Sequence, residues 1–230
     1  IDYILPFLVP QLLLQFASNS TTLTAKIDRI REKLTDLTIK MLKPEDRRLV
    51  IVCKHLICRC PDKSHLRRGV AQTIFSLSKS SKYIKEIINF IIRASKTTKI
   101  GTRSFSSLLI QLYLTNVGEI NSLFGEDASE IVINLSNVLK RQVLDVTPTV
   151  RAISLEGISQ VIESISFENQ FSAIIKSVID NNGFIEEALN LRICDEKFVV
   201  RKAALLCIGQ IIQKQYKLSS KTNNENDDNL

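Results

Sequence analysis

Apolar residues recur along the chain at the three- and four-residue spacing of an α-helix. One such stripe, with steps that alternate between four and three residues, consists of Leu23, Ile27, Ile30, Leu34, Leu37 and Met41. A coiled coil uses the same spacing, but fewer than three heptads favour a helix packed in a solenoid. No stretch shows sustained alternation of apolar and polar residues, so the pattern predicts helices and no strands.

Prolines and polar links divide the rest of the chain into further helices. Pro44 ends the first helix and Pro61 ends the second, since a proline disfavours helical geometry at the residue before it. The predicted helices cover 45–59, 66–79, 82–95, 103–116, 129–144, 148–165, 168–180, 183–193 and 198–216. Helices this short are marginal in isolation, so each has to pack on its neighbours.

The two ends of the chain differ in polarity. Residues 1–16 are apolar but shorter than a bilayer span and interrupted by Pro6 and Pro10, which predicts a buried helix. Residues 217–230 are polar and predicted to be disordered. The expected domains are therefore a helical solenoid over 1–216 and a tail over 217–230. Because the sequence begins at Ile1, we interpret it as part of a longer chain.

A fifty-residue repeat relates two of the predicted helices. Residues 145–158 and 195–208 align without gaps on the frame D-x4-V-R-x2-(small)-L-x2-I. Its fixed positions are Asp145, Val150 and Arg151 in one copy and Asp195, Val200 and Arg201 in the other. A weaker copy contains Asp62 and Arg67, and a fainter one surrounds Arg103.

Each position of the frame has a structural reason. An Asp in the turn before a helix can accept the N–H groups at the helix end and face the positive end of its dipole. The valine and the later Leu and Ile fall on one buried face. An arginine at a fixed place can bridge to the turn Asp of the neighbouring repeat. The frame residues are therefore predicted to be structural rather than catalytic.

The frame resembles the HEAT repeat, an antiparallel helix pair stacked into a superhelix. Four segments extend the resemblance, in the order CKHLICRCPDKSHLRRGVAQTIFSLSK, FIIRASKTTKIGTRSFSSLLIQL, VLKRQVLDVTPTVRAISLEGISQVIES and LNLRICDEKFVVRKAALLCIGQII. Their succession over residues 45–213 is similar to that of the larger, D-type HEAT subunits of condensin II. The fold that follows is an all-α superhelix of about five helical hairpins, of the HEAT or armadillo type.

The resemblance also implies a function. Subunits of that family are not enzymes; they bind the kleisin of a complex whose SMC subunits hydrolyse ATP, and they help to engage DNA during mitotic chromosome condensation. It implies kleisin, SMC and chromatin partners, a place in the nucleus on chromosomes, and no membrane. The alternatives are another HEAT scaffold, such as a cohesin-related protein or a transport adaptor, and a regulatory subunit of a phosphatase or kinase.

Composition agrees with a helical, non-enzymatic chain. Only 7 Gly and 5 Pro occur in 230 residues, too few for the turns of sandwiches, barrels or Gly-rich nucleotide-binding loops. Five Cys at uneven spacing indicate a reducing compartment rather than a disulfide framework. With two His and no phosphate-binding loop, the sequence predicts no enzyme, no small-molecule substrate and no cofactor.

A cluster of thiols and imidazoles allows a zinc site to be considered. It comprises Cys53, His55, Cys58, Cys60 and His65. Cys53 and Cys60 share the apolar spacing of one helix, which cannot fold its own ligands into a tetrahedron. Buried thiols are therefore the preferred interpretation, and no metal is predicted.

Charge is concentrated in one part of the sequence. Residues 43–103 carry 15 Lys and Arg against 4 Asp and Glu, although the whole chain has a net charge of only +7. A solvated helix face and a phosphate-binding stripe both explain such a block, and the resemblance favours the stripe. Its predicted DNA-contacting residues are Lys79, Lys82, Lys85, Arg93, Lys96, Lys99 and Arg103.

Overall fold

The structure, a computed structural model, describes residues 8–13, 24–43, 45–61, 64–164 and 189–227. These residues contain helices and no β-strand, and residues 8–13 are themselves helical. The helices that follow are α1 (Thr24–Met41), α2 (Arg48–Cys58), α3 (Ser64–Lys79), α4 (Ile84–Ala94), α5 (Ile100–Thr115), α6 (Val117–Phe124), α7 (Ala128–Gln142), α8 (Pro148–Ser164), α9 (Asn190–Ile193) and α10 (Phe198–Asp227). A single 3-10 turn, Gly125–Asp127, joins α6 to α7.

Contacts divide the chain into two compact units, Ile1–Tyr113 and Leu114–Leu230. In the first unit α1 packs on α3 and α2 packs on α4, while α2 also contacts α3. Contact between every second helix is the packing of stacked helical pairs, in which equivalent helices of successive repeats lie side by side. The predicted all-α solenoid class is confirmed.

The core of the first unit contains an aromatic pair between α3 and α5. Tyr113 is fully buried, and its ring meets Phe75 edge to face with the ring centroids 5.0 Å apart. The Ser78 hydroxyl donates to the carbonyl of Phe75 at 2.8 Å and accepts a hydrogen bond from the Tyr113 phenol. Burial raises the pKa of the Tyr113 phenol, and it raises that of the nearby Cys53 thiol to about 12.

In the second unit the fifty-residue repeat is directly visible. The two frame helices, α8 and α10, pack on each other, and α7 packs on α8. Val150 and Val200 have no exposed surface, as the frame predicts. Stacking of helices at equivalent positions of the repeat gives this unit its core.

Several element boundaries differ from the predicted ones. Helix α6 was not predicted, because it has only eight residues, contains Gly118 in its first turn and ends before Gly125, which adopts a positive φ of 53°. Helix α10 runs to Asp227, so its predicted end at residue 216 is wrong; disorder of the tail and the domain division at 216 stay predictions. The helix predicted at 168–180 lies outside the described residues, so the number of hairpins stays a prediction.

The buried face of α1 is not the predicted apolar stripe. Leu37 and Met41 are half exposed, whereas the buried residues of this helix and of its end are Arg31, Thr35, Thr38 and Leu42. A Cβ at Gly69 of α3 would lie 2.3 Å from the Arg31 guanidinium, so any other residue at 69 would require this arginine to move. Packing of Arg31 against Gly69 explains why the buried face of α1 is offset by about one residue from the predicted apolar stripe.

The apolar opening is described over 8–13 alone. Leu13 is buried there and Leu8 is half exposed. None of the helices in the described parts of the chain has both the length and the apolar character needed to cross a membrane.

Candidate nucleic-acid interface

Helix α4 and the turns at its two ends carry five of the seven predicted DNA-contacting residues, and Lys85 and Arg93 lie on the helix itself. Its apolar residues Ile84, Ile87, Ile88, Ile91 and Ala94 are buried. The strict helical spacing of this face leaves Lys85, Asn89 and Arg93, each four residues apart, on the exposed side. Lys85 and Arg93 are therefore about 12 Å apart along the helix axis, at 1.5 Å per residue.

The links at the two ends of α4 extend this exposed set. Lys82 lies in the turn before the helix, and Lys96 and Lys99 lie in the turn after it, all with exposed side chains. Among the described residues, these three lysines form no ion pair. Lys79 is half-buried at the end of α3, where its ammonium lies 4.9 Å from the centroid of the Phe75 ring.

Two acidic residues in the basic segment 43–103 form ion pairs. Their partners are cations other than the exposed lysines at the ends of α4. Glu86 of α4 accepts from Lys54 at 2.6 Å and from Arg47 at 3.1 Å. The hydrogen bonds from Lys54 and then Arg47 lower the pKa of Glu86. Asp46 likewise binds Arg48, whose hydrogen bond lowers the pKa of that carboxyl. Neither carboxylate neutralises the exposed lysines at the ends of α4.

We define the basic surface of the first unit as Lys82, Lys85, Arg93, Lys96 and Lys99. All five side chains are exposed on α4 or on the turns at its ends. Such a line of cations suits contacts with phosphates, which carry no sequence information.

Arg103 has a structural role that the sequence did not reveal. Its Nη1 donates to the carbonyls of Thr97 at 3.0 Å and Thr98 at 2.9 Å, the loop between α4 and α5. These bonds hold the turn that presents Lys96 and Lys99. Arg103 therefore positions part of the basic surface.

The same bond occurs in every copy of the repeat frame. Each frame arginine donates to the carbonyl six residues before it, and three of them also reach the carbonyl five residues before. The pairs are Arg67 to Pro61 at 2.7 Å, Arg103 to Thr97 at 3.0 Å, Arg151 to Asp145 at 2.9 Å and Arg201 to Asp195 at 2.8 Å. A cation that satisfies carbonyls between two helices closes the turn of each repeat. This shared geometry identifies the faint copies at Arg67 and Arg103 as members of the repeat.

The bridge between neighbouring repeats is present where the frame places it. Arg151 of α8 donates a hydrogen bond from Nη2 to Asp195 Oδ1 at 2.8 Å, and its Nε lies 2.8 Å from Oδ2 of the same carboxylate. Arg192, which the sequence reasoning missed although it lies three residues away, adds a bond at 2.7 Å. The Lys197 N–H also donates to this carboxylate, at 3.1 Å.

These donors set the ionisation of Asp195. Burial by itself raises the pKa of this carboxyl, but the bonds from Arg151, the Lys197 N–H and Arg192 outweigh it and lower the pKa to about 2. In the other copy Asp145 accepts from the Thr147 N–H at 2.8 Å. Asp62 lies outside the described residues.

The thiols do not assemble into a site. Cys53 and Cys60 are buried and Cys58 is exposed. In the described parts of the chain, no group of three or more His, Cys, Asp or Glu side chains could hold a metal ion. That the whole chain binds no metal stays a prediction.

Comparison with known proteins gives one relevant similarity. The chain is 23% identical over 173 residues to the Condensin-2 complex subunit CAP-D3 of Arabidopsis thaliana. The aligned residues cover 69% of this chain and 13% of that relative, so the chain spans a small part of its length. No family model matches the sequence, and no solved structure matches it. The match is consistent with a condensin-like HEAT subunit.

Proposed function

We propose that this chain is a segment of a non-catalytic HEAT subunit of a condensin II complex, which binds kleisin and SMC subunits and engages DNA in the nucleus during mitotic chromosome condensation. The similarity to the Arabidopsis CAP-D3 subunit supports the assembly, and the all-helical fold supports a scaffold rather than an enzyme. The observation that carries the DNA contact is the basic surface of the first unit.

The spacing of the cations on the basic surface matches the width of a DNA groove. Lys85 and Arg93 lie about 12 Å apart along α4, which is about the width of the major groove of B-DNA. Lys82 lies beyond one end of this helix, and Lys96 and Lys99 lie beyond the other. Cations at both ends of one helix can therefore contact phosphates on both sides of a groove. Binding of this kind is independent of sequence and sensitive to salt.

Reversal of charge on the basic surface should weaken DNA binding. The variant carries Lys82→Glu, Lys85→Glu, Arg93→Glu and Lys96→Glu, all at exposed positions. We expect affinity for a random-sequence duplex to fall at least tenfold. The salt dependence should become shallower by about 3 to 4 in the slope of log K against log[salt], since each lost phosphate contact removes about 0.9. Fluorescence anisotropy over a salt series measures both quantities.

A matched control separates this surface from overall charge. The exposed cations Arg29, Lys33, Lys40 and Lys43, replaced together by Glu, change the net charge by the same amount. This control should retain most of the affinity and the parental salt slope. Equal losses in the two variants, or an unchanged slope in the first, would rule out the basic surface as the DNA contact.

Assembly is tested separately by affinity purification of the full-length protein that contains this chain. We expect SMC and kleisin subunits to co-purify in stoichiometric amounts, because stacked helical pairs offer grooves in which a flexible segment can lie. Nuclease treatment removes partners that are held by DNA alone, and mass spectrometry then identifies the proteins that remain bound. Recovery of a phosphatase or kinase catalytic subunit instead would contradict the proposal.

A further inference from the structure

A carboxylate of α4 binds two cations that belong to the neighbouring helix. Glu86 accepts from Lys54 Nζ at 2.6 Å through Oε1 and from Arg47 Nη2 at 3.1 Å through Oε2. Arg47 lies directly before α2 and Lys54 lies within α2, which packs on α4. Because each oxygen of the carboxylate binds a different cation, this one side chain engages two positive charges of the basic segment 43–103.

Two aromatic rings continue this contact to the basic surface of the first unit. Tyr83 and Phe90 are seven residues apart, which places them on one side of α4. The Arg47 guanidinium lies 5.4 Å from the centroid of the Tyr83 ring. The centroid of the Phe90 ring lies 5.7 Å from Lys54 Nζ and 5.9 Å from the Arg93 guanidinium. Since Arg93 belongs to the basic surface, the Phe90 ring connects that surface with the cations of α2.

Both paired cations remain accessible to solvent. The Arg47 side chain is 71% exposed and the Lys54 side chain is 30% exposed. Among the described residues, the Arg47 guanidinium donates a single hydrogen bond, although a guanidinium has five N–H donors. Arginine binds a phosphate best through two parallel N–H···O bonds, which the single bond to Glu86 does not use. A phosphate therefore has room to bind here once the carboxylate charge is absent.

The carboxylate itself opposes such a contact. A DNA phosphate that took Arg47 or Lys54 from Glu86 would leave an unpaired negative charge beside the DNA. Repulsion between the like charges favours the existing ion pairs while DNA occupies the exposed cations of α4. Glu86 therefore acts on these two cations as an internal substitute for a phosphate.

We propose that Arg47 and Lys54 are further phosphate-binding residues of this surface and that Glu86, by binding them, prevents their contact with DNA. This role of Glu86 rests on the proposed function, because the phosphates belong to the same duplex that the basic surface binds. The DNA contact of the first unit is then narrower than its cations allow. Loss of the Glu86 charge widens the contact from α4 onto α2.

Glu86→Gln tests this role on the whole chain. The amide still accepts a hydrogen bond but carries no charge, so both cations become available to phosphates. At low salt, affinity for a random-sequence duplex should rise about threefold or more. The slope of log K against log[salt] should steepen by about 1 to 2, since each added phosphate contact contributes about 0.9. Fluorescence anisotropy over a salt series measures both quantities.

Removal of the two cations shows whether they are the added contacts. In the parent, the pair Arg47→Ala and Lys54→Ala should leave the salt slope unchanged, because Glu86 already holds both side chains. In the Glu86→Gln background, the same pair should return the steeper slope to the parental value. The slope is the decisive quantity, because an unpaired Glu86 also lowers affinity by repulsion.

Glu45→Gln removes one negative charge from the same basic segment and serves as the matched control. Glu45 is exposed and forms no ion pair with any described residue. This substitution should therefore retain the parental slope. Exposed ion pairs contribute little to stability, so circular dichroism and the thermal midpoint of Glu86→Gln should remain those of the parent.

The outcomes separate this role from the proposed function. An unchanged slope in Glu86→Gln, an equal change in Glu45→Gln, or a steeper slope that persists without Arg47 and Lys54 would each overturn the role of Glu86. If the fourfold charge reversal on the basic surface weakens DNA binding while Glu86→Gln has no effect, only the role of Glu86 fails. If that reversal also leaves the slope unchanged, the proposed DNA contact fails with it.

Discussion

Replacement of Asp195 by Asn should destabilise the second unit by about 3 kcal/mol, because it removes one partner of a buried ion-pair network. The Asp195 side chain is 1% exposed and binds Arg151 of the preceding frame helix and Arg192 of its own repeat. An amide cannot neutralise the two guanidinium groups, which remain largely buried. Urea unfolding should show the loss as a lower midpoint, and amide exchange should accelerate in α8 and α10.

Glu196→Gln makes the same change of charge at the neighbouring position and serves as the control. Its side chain is exposed, so the free energy of unfolding should change by less than about 0.5 kcal/mol. Equal effects of the two substitutions would show that net charge, not the network, stabilises the unit.

The pH dependence of stability provides a second measurement of the same network. Because folding lowers the Asp195 pKa from 3.8 to about 2, the ionised carboxyl stabilises the folded chain fully above about pH 4. That contribution decreases as the pH falls from about 4 to 2, because the Asp195 carboxyl of the unfolded chain binds its proton at a higher pH than that of the folded chain. The difference in stability between the parent and Asp195→Asn should therefore narrow over this range. A constant difference would mean that the carboxylate charge is not responsible.

The sequence predicted the helices and the repeat because both depend on local spacing. The frame D-x4-V-R places the arginine at the fourth residue of its helix, about one turn inside it and close enough to reach its own turn. Its bond to the carbonyl six residues earlier was not foreseen, since only the arginine-to-Asp bridge had been considered. Arg103 is the clearest case: its charge suggested a phosphate contact, while its guanidinium holds the turn at Thr97 and Thr98.

Other features depend on contacts that no local pattern encodes. The apolar stripe of α1 predicted a buried face containing Leu37 and Met41, but the opposing helix has a glycine at position 69. That gap admits Arg31, and Thr35 and Thr38 are buried in place of Leu34 and Leu37. The pairing of Glu86 with Arg47 and Lys54 likewise joins residues more than thirty positions apart. Charge counting alone could not separate these paired cations from the exposed ones.

The frame arginines and the cations of the basic surface therefore have different roles. The arginines of the repeat use their N–H groups on the carbonyls of their own turns, and Arg151 also reaches the next repeat. Lys96 and Lys99, after α4, lie on a turn that such a bond holds in place. The repeat therefore provides a scaffold whose turns can differ in charge without a change in fold. The sequence pattern assigned Arg67, Arg151 and Arg201 to the repeat, and, of the frame arginines, only Arg103 was counted among the DNA-contacting cations.

Removal of the Tyr113 ring should be the most damaging single change in the first unit. Tyr113→Ala deletes a fully buried ring that meets Phe75 edge to face, and loss of a buried aromatic side chain costs about 3 to 5 kcal/mol. Tyr113→Phe keeps the ring and loses only the hydroxyl, so it should cost about 1 kcal/mol. Ser78 still donates to the Phe75 carbonyl in that variant, which leaves no donor of this pair unsatisfied.

Urea unfolding of the two variants separates the ring from its hydrogen bond. We expect a large shift of the midpoint for Tyr113→Ala, a small one for Tyr113→Phe, and faster amide exchange in α3 and α5. Tyr216→Ala removes an exposed tyrosine and should change the free energy of unfolding by less than about 0.5 kcal/mol. If Tyr113→Phe costs as much as Tyr113→Ala, the hydrogen bond to Ser78, and not the packing of the ring on Phe75, stabilises the contact between α3 and α5.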